Sequence, residues 1–241
     1  MGTAPRKLGT GQTPYGLSVR LREGTRRAHR WVERLAFVRG FLRGLIDLES
    51  YRRLLIDFHA VYEALEESLC AQHPESVMEP LILPQLWRQE SLAQDLDYLD
   101  QRLGIQQSWR LASPSLAALR YAARLRTHAQ KCPELLIAHA YTRYLGDLSG
   151  GQILRRIAAY ALHLEGSAGL RFYEFSQIPN IEEFKHQFRH RLDELPLAES
   201  MLSAVVAEAV QAFTYSGAIF EAQRQLPAAT EPPFPALLVP P

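Results

Sequence analysis

Apolar residues recur with the period of an α-helix along most of the chain, and this pattern restricts the possible folds more than any other feature. The clearest helical face combines seven positions, which are Tyr51, Leu54, Leu55, Phe58, Tyr62, Leu65 and Leu69. Spacing of i, i+3, i+4 and i+7 indicates an amphipathic helix, whereas a half-buried strand requires strict alternation. No segment of the chain shows that alternation. The sequence therefore predicts an all-α fold.

Start and stop signals divide this pattern into about seven or eight helices. Ser50 and Ser113 are candidate N-caps, Gly104 is a candidate helix stop, and Asn180 with Glu183 resembles a capping box. No internal repeat or Pro/Gly-rich linker interrupts the middle of the chain. We therefore expect one helical-bundle domain over residues 17–226. Residues 1–16 and the Pro-rich residues 227–241 are expected to be flexible extensions.

Composition and charge argue against several classes of protein. The formal net charge is +1 at pH 7, whereas a nucleic-acid binder normally carries a large basic excess. The cysteines, Cys70 and Cys132, have neither disulfide-framework nor zinc-ligand spacing, and lone thiols suit a reducing compartment. We find no run of about 18 apolar residues that indicates a membrane span, and no secretory signal. We therefore expect a soluble, cytoplasmic protein.

Four polar residues of the first long helix lie on one face, because Arg22, Arg26, His29 and Glu33 are spaced by 4, 3 and 4 positions. Imidazole is the commonest metal ligand in proteins, and guanidinium groups suit carboxylates. The face thus fits an anionic ligand that carries a metal, and Glu33 could orient the imidazole. An exposed basic stripe with one surface histidine explains the same spacing.

A second cluster contains Gly146, Gly150 and Gly151 within an apolar, helix-like segment that starts at Pro133. Each glycine costs on the order of 1 kcal/mol relative to alanine inside a helix. Such a cost indicates a helix end or a close approach of the backbone to another group. A kinked helix against a flat ring is one interpretation, with Asp147 holding water nearby. A glycine-tolerant contact between helices is equally consistent, whereas a P-loop is not, because Lys-Ser/Thr is missing.

A third cluster lies on a later helix, where Lys185 and Arg189 are one turn apart and His186 and His190 adjoin them. Two cations at i and i+4 can clamp carboxylates, although such a stripe is often a solvated face. Glu183 and His186 also form a Glu-x-x-His pair. A di-iron bundle needs two such pairs, and none of the other histidines supplies the second.

Two of these segments resemble the heme oxygenase family. Residues 21–33, LREGTRRAHRWVE, resemble the family's heme-ligand segment, and residues 138–152, AHAYTRYLGDLSGGQ, resemble its distal-helix signature. Weaker similarities involve residues 62–67, Phe184-Lys185 with Arg189, and residues 213–220. They occur in the family's order, cover about residues 17–226, and are strongest with the soluble cyanobacterial and plastid enzymes.

The resemblance implies an enzyme that cleaves heme at the α-meso carbon to biliverdin IXα, CO and Fe(II), using O2 and external electrons. Heme would be both cofactor and substrate, and His29 would bind its iron. The residues implied to be catalytic are Tyr62, Gly146, Asp147, Gly150 and Gly151. The residues implied to bind heme are Arg22, Thr25, Arg26, His29, Glu33, Tyr141, Lys185, Arg189, Phe213 and Phe220.

The resemblance also assigns functions to parts of this set and reveals departures from it. Asp147 and Tyr62 would hold a distal water network, and the glycines would let the distal helix lie close over the heme. Ser216 stands where the family usually has Asn, which affects one distal hydrogen bond. Arg22 and Arg26 stand where Lys is more common, so the charge is kept and the geometry is not.

The implied partners are heme, O2, and a ferredoxin or flavoprotein reductase as electron donor, and we expect a monomer without a membrane anchor. Three alternatives remain. A heme-binding storage or sensor protein without ring opening would not require Asp147. A thiaminase-like or di-iron enzyme lacks support from a catalytic cysteine or a second Glu-x-x-His pair. An interaction module that uses the Pro-rich tail rests on composition alone.

Overall fold

The computed structural model describes residues 16–73 and 75–223, and within them the regular secondary structure is entirely helical. The predicted tails lie outside the described residues, except for Gly16. The helices are α1 (Leu17–Glu33), α2 (Ala36–Leu42), α3 (Leu48–Cys70), α4 (Gln89–Leu103), α5 (Leu116–Lys131), α6 (Leu136–Ala140), α7 (Gly146–Ala161), α8 (Ile181–Asp193) and α9 (Glu199–Ala222).

The helix α6 continues into α7 through a π-helical turn, Tyr141–Leu145. The described residues therefore form eight continuous helices, which confirms the predicted all-α bundle. The glycine-rich segment lies inside this continuous helix, as expected. Its irregular backbone, however, precedes the glycines rather than coinciding with them, and π turns of this kind often occur at functional sites.

Two of the four predicted helix boundaries are wrong. Helix α3 is capped by Asp47, whose carboxylate accepts a hydrogen bond from the Ser50 backbone N–H at 2.7 Å. Helix α5 is capped by Ser115 rather than by Ser113. In both cases a second capping residue lies a few positions away and satisfies the first-turn N–H groups. The predicted ends at Gly104 and Asn180 are confirmed.

Helix α3 lies at the centre of the bundle, where α4 and α5 pack against it, while α1 packs across α9. The buried side chains include several tyrosines that are almost completely inaccessible to solvent. The α1–α9 contact depends on two glycines. A Cβ atom on Gly24 would lie 2.5 Å from Val206 Cγ1, and one on Gly217 would lie 2.2 Å from the Trp31 ring. These glycines let the two helices approach closely.

Helix α9 is long and apolar enough to cross a membrane by length and composition, with a mean hydropathy of 1.2 over its most apolar window. Among the described residues no other helix meets those criteria. The sequence analysis did not predict a membrane span in α9 because Glu208 and Gln211 interrupt its apolar run. The helix packs against α1, α5 and α6, so much of its apolar surface is used within the fold. Cys70 and Cys132 are free thiols.

Candidate active site

A cleft of about 1140 Å³ opens between α1 and the segment formed by the π turn and α7, and parts of α2, α3, α8 and α9 complete its walls. Thirteen of the fifteen predicted site residues line it. They are Arg22, Thr25, Arg26, His29, Glu33, Tyr141, Gly146, Asp147, Gly150, Gly151, Arg189, Phe213 and Phe220. The two others, Tyr62 and Lys185, lie outside this lining. The structure thus brings together residues from four separate segments of the sequence.

The predicted polar face of α1 lies along the cleft, while Leu17 and Leu21 are buried on another side of the helix. The His29 side chain is 56% exposed, and its Nδ1 lies 3.5 Å from Glu33 Oε1. The Phe213 ring meets the imidazole edge-on, with centroids 5.6 Å apart. With Nδ1 directed toward a carboxylate, Nε2 is the nitrogen available to a metal in the cleft.

One region of the cleft is cationic. Burial raises the pKa of Tyr141, while a hydrogen bond with Thr25 and the charges of Arg189 and Arg22 oppose that rise. The Tyr141 hydroxyl therefore lies near two guanidinium groups, from α1 and from α8. Two guanidiniums and a phenol hydroxyl together suit a carboxylate ligand.

The predicted clamp of Lys185 and Arg189 is only half present in the cleft. The Lys185 ammonium donates to Glu182 Oε1 at 2.7 Å, and the lysine side chain is largely buried in the fold. Arg189, one turn later, lines the cleft. Glu182 precedes Lys185 by three positions and thus lies on the same helical face, so the ion pair keeps the ammonium on α8.

The glycines of α7 expose backbone to the cleft. A Cβ atom added at Gly146 or at Gly150 would meet no atom within 4 Å, whereas one at Gly151 would lie 3.4 Å from Tyr173 Cδ1. A contact between helices therefore does not explain the first two glycines. The space beside them belongs to the cleft, which favours close approach of a ligand to the helix.

Asp147 lines the cleft and is otherwise buried. Tyr62, from the centre of α3, donates a hydrogen bond to its Oδ2 atom, and the Arg143 Nη2 atom lies 3.8 Å from Oδ1. Arg143 also donates through Nε to the Tyr62 oxygen at 3.1 Å. Burial raises the pKa of Asp147, and the charge of Arg143 and the Tyr62 hydrogen bond partly offset this. Tyr62 thus belongs to the site through Asp147.

Arg143 was not predicted as a site residue, although it precedes Asp147 by one helical turn. Arg143 is buried, its guanidinium lies over the Phe58 ring at 4.7 Å, and its Nη1 is 3.5 Å from the Ser216 hydroxyl. Ser216 in turn donates to the Ala212 carbonyl. The serine that departs from the family pattern therefore keeps a long contact with the distal cation. The i, i+4 spacing of Arg143 and Asp147 was the signal that could have identified it.

Aromatic and aliphatic side chains that were not predicted as site residues form the remaining walls. They include Phe37, Phe41, Leu54, Phe58, Leu154, Phe172 and Tyr173. Large apolar walls with a few polar groups are typical of sites for small molecules. The Phe220 ring stacks on Phe37 with centroids 6.1 Å apart. These walls suit a flat apolar ligand.

The fold and this cleft define a class of all-helical proteins that enclose a flat, anionic ligand between a histidine-bearing helix and a glycine-rich helix. Comparison with known sequences specifies the family. The heme oxygenase family model matches residues 15–222, and the chain belongs to the heme oxygenase family.

Individual relatives agree with this assignment. The chain is 41% identical over 206 residues to a heme oxygenase of Guillardia theta, in an alignment that covers 85% of each chain. It is similar to the crystal structure of heme oxygenase-1 from Synechocystis in complex with heme, with a TM-score of 0.80, 38% identity, and coverage of 86% of this chain and 91% of that one. The chain is also similar to a heme oxygenase structure from Leptospira interrogans, with a TM-score of 0.81 and 39% identity. That alignment covers 86% of this chain and 98% of the other.

Proposed function

We propose that the protein binds one heme in this cleft through His29 and cleaves it at the α-meso carbon to biliverdin IXα, CO and Fe(II). The observation that carries the proposal is that one cleft is lined by an imidazole, by exposed helix backbone at two glycines, and by a buried carboxylate. Simple heme binding needs only the first of these. The family assignment supports the ring-opening reaction.

The chain's own residues fit heme in three respects. His29 offers Nε2 while Glu33 faces Nδ1, an arrangement that orients a metal-binding imidazole and strengthens it as a ligand. The open space at Gly146 and Gly150 admits a flat ring beside the backbone. The apolar walls of the cleft would cover the faces of the ring. When bound, heme supplies both the iron that activates O2 and the ring that is oxidised.

The cationic region would fix the orientation of the substrate. Arg22, Arg189 and Tyr141 all line the cleft, and the charges of both arginines act on the Tyr141 hydroxyl. Arginine pairs well with carboxylates such as the heme propionates. Anchoring the propionates there would determine which meso carbon is presented to Asp147. We propose that these three residues set the position of ring opening. Glu23 pairs with both Arg22 and Arg26 on this face. Arg22 acts on Tyr141 and Arg26 does not, so the contribution of Arg26 would be mainly electrostatic.

Asp147 would control water and protons on the distal side. Its Oδ2 accepts from Tyr62, which leaves Oδ1 for water in the cleft. Burial raises the pKa of this carboxyl, and a carboxyl with a raised pKa exchanges protons more readily at neutral pH. Tyr62 and Arg143 hold the carboxylate in place. We propose that Asp147 orders the distal water and delivers the protons that ring opening consumes.

We further propose that a ferredoxin or a flavoprotein reductase supplies the electrons, and that the protein acts as a cytoplasmic monomer. The exposed part of α1 carries many arginines, including Arg27 and Arg30, which suits an acidic donor because complementary charge increases association rates. Residues 17–226 would form the functional domain, in agreement with the extent of the family match.

The test is a hemin titration followed by addition of a reductant in air, monitored by absorbance. We expect wild type to bind hemin one to one and to bleach to a biliverdin spectrum, and His29→Ala to lose the imidazole-ligated spectrum. His190→Ala is the matched control, because His190 is also exposed and its Nδ1 faces a glutamate one turn later. It should behave as wild type.

Asp147→Ala separates binding from chemistry. The variant should bind hemin with an imidazole-ligated spectrum and form little biliverdin. A normal biliverdin yield from Asp147→Ala would refute the role of this carboxylate. If wild type binds and reduces hemin but never forms bilin, the protein is a heme-binding storage or sensor protein instead.

A further inference from the structure

Two imidazoles and a carboxylate meet in a buried cluster where α5, α6 and α9 pack together, and none of them lines the cleft. Glu208 Oε1 lies 3.0 Å from His128 Nε2 and 3.1 Å from His139 Nε2. No more than 5% of any of these side chains is exposed. Their ligand atoms all lie within 4.8 Å of one another, and within the described part of the chain no other set of three potential metal ligands is so compact.

The residue types and distances of this cluster suit a divalent transition cation. Zinc in proteins takes imidazole nitrogens and carboxylate oxygens at about 2.0–2.2 Å, and two histidines with one glutamate are a known zinc-ligand set. Two such ligands of a tetrahedral ion lie about 3.3 Å apart. The distances from Glu208 Oε1 to the two imidazole nitrogens are close to that value. Small rotations of the side chains would therefore be enough to admit an ion.

The His128 nitrogen has an orientation that hydrogen bonding does not explain. Its Nε2 is buried and has no hydrogen-bond partner among the described residues, although Glu208 Oε1 is only 3.0 Å away. The ring is thus turned so that Nε2 points beside the carboxylate oxygen rather than at it. Two ligands of one metal ion have this relationship, because each is directed at the ion and not at the other ligand. A buried nitrogen without a partner is otherwise costly.

His139 has the outer contact that orients a metal-binding imidazole. Its Nδ1 lies 3.2 Å from the Tyr121 hydroxyl. A proton on Nδ1 that is donated to this hydroxyl fixes the ring and leaves Nε2 free for a metal. Nε2 is the nitrogen that faces Glu208. His139 therefore offers an available nitrogen at the carboxylate, next to His128.

Arg124 is the group that a cation at this position would have to displace. Its Nε lies 3.1 Å from Glu208 Oε1 and its Nη2 lies 2.6 Å from Oε2, so the guanidinium neutralises the carboxylate. The Arg124 side chain is 38% exposed, in contrast to the buried cluster. The guanidinium can therefore turn into water without moving a helix, and that movement opens a path to the cluster. An ion would then replace one positive partner of Glu208 with another.

We propose that His128, His139 and Glu208 bind one divalent transition cation such as Zn²⁺. Arg124 competes with this ion for the carboxylate. The ion would join α5, α6 and α9, and because α6 continues through the π turn into α7, it would stabilise the helix that carries Asp147. The proposed site is separate from the heme-binding cleft and does not depend on the ring-opening reaction.

The first test is a calorimetric titration of the heme-free protein with Zn²⁺, in wild type and in His29→Ala, which lacks the imidazole of the cleft. We expect both proteins to bind one ion. Tm should rise by about 5–10 °C at a hundredfold excess of free Zn²⁺ over Kd. No zinc binding by wild type would overturn the proposal. Loss of the site in His29→Ala would also overturn it, because the ion would then lie in the cleft.

The second test locates the ion by substitution. Glu208→Gln should weaken zinc binding about 10–100-fold or more, since loss of even an outer partner of a metal ligand costs that much. Arg124→Gln should strengthen it about tenfold or more, because a neighbouring positive charge is removed. Arg126→Gln is the matched control. It removes the same charge from the same helix, where Arg126 pairs with Glu67, and should leave zinc affinity unchanged.

Unchanged or weaker zinc binding in Arg124→Gln would overturn the proposed competition. If Glu208→Gln does not fold, as judged by circular dichroism, His128→Gln removes one ligand and keeps the pair of Arg124 with Glu208. An unchanged zinc affinity in His128→Gln would show that the ion lies elsewhere. If wild type forms no bilin, the proposed function is wrong, and the zinc measurements still decide whether this site exists.

Discussion

Replacing Gly150 with alanine should make the heme-free protein more stable, but it should lower heme affinity and bilin formation. The glycine lies within α7, and a Cβ atom there would meet no atom within 4 Å. Alanine is favoured over glycine in a helix by about 1 kcal/mol, chiefly through backbone entropy. For a domain of this size, that corresponds to a rise in Tm of about 2–4 °C.

The same methyl group would project into the space that the heme ring needs. Overpacking a close contact costs about 1–3 kcal/mol, so we expect heme affinity to fall about tenfold or more. Thermal unfolding of the heme-free protein and hemin titration measure the two effects separately. Bilin formation should fall at least as much as affinity, because the ring is displaced from the distal carboxylate.

Gly24→Ala is the control, and it should change Tm in the opposite direction. Its Cβ atom would lie 2.5 Å from Val206 Cγ1 at the α1–α9 contact, so this helical glycine should lower Tm when replaced. If Gly150→Ala destabilises the heme-free protein, the glycine supports a packing contact and the proposed approach of the ring is wrong. An unchanged heme affinity would refute the reasoning equally.

Three further predictions concern the polar groups. Tyr62→Phe should lower the free energy of unfolding by about 1–3 kcal/mol, because Asp147 loses a buried donor, and should reduce bilin yield; urea denaturation and absorbance test this. Arg189→Gln should weaken heme binding in a hemin titration, whereas Lys185→Gln should not, because an acidic partner already holds that ammonium. Burial raises the pKa of Glu208, but the interactions with His128, His139 and Arg124 outweigh burial and lower it. The ionised carboxylate therefore stabilises the folded protein above about pH 4.5, and this stabilisation is lost as the pH falls. The stability difference between wild type and Glu208→Gln should therefore shrink from pH 7 toward about pH 3.

The fold could be predicted because its signal is local. Periodic apolar positions define each helix, and a cap such as Asn180 acts within one turn. The prediction failed at Ser50 for the same reason, since several polar residues near a helix start can each act as the cap, and only the backbone shows that Asp47 does so. The number of helices was therefore predictable, and their first residues were not.

The site was predictable where its residues share one helix. The face that contains His29 and Glu33 follows from spacing alone, and the structure places both on the cleft. Interactions between helices were not accessible in this way. The Glu182–Lys185 pair lies within α8, and its i, i+3 spacing could have indicated that Glu182 holds the ammonium, whereas Glu208 meets His139 only because α6 and α9 pack together. Residue type and period do not contain that information.

The π turn at Tyr141–Leu145 makes the distal wall sensitive to chain length. A π turn holds one residue more than an α turn, and one residue corresponds to a rotation of about 100° around the helix axis. Deleting a single residue there would restore a regular helix and rotate Asp147 and Gly150 away from the ligand without removing either. Variation in this segment should therefore consist of substitutions, because an insertion or deletion changes the phase of every side chain that follows.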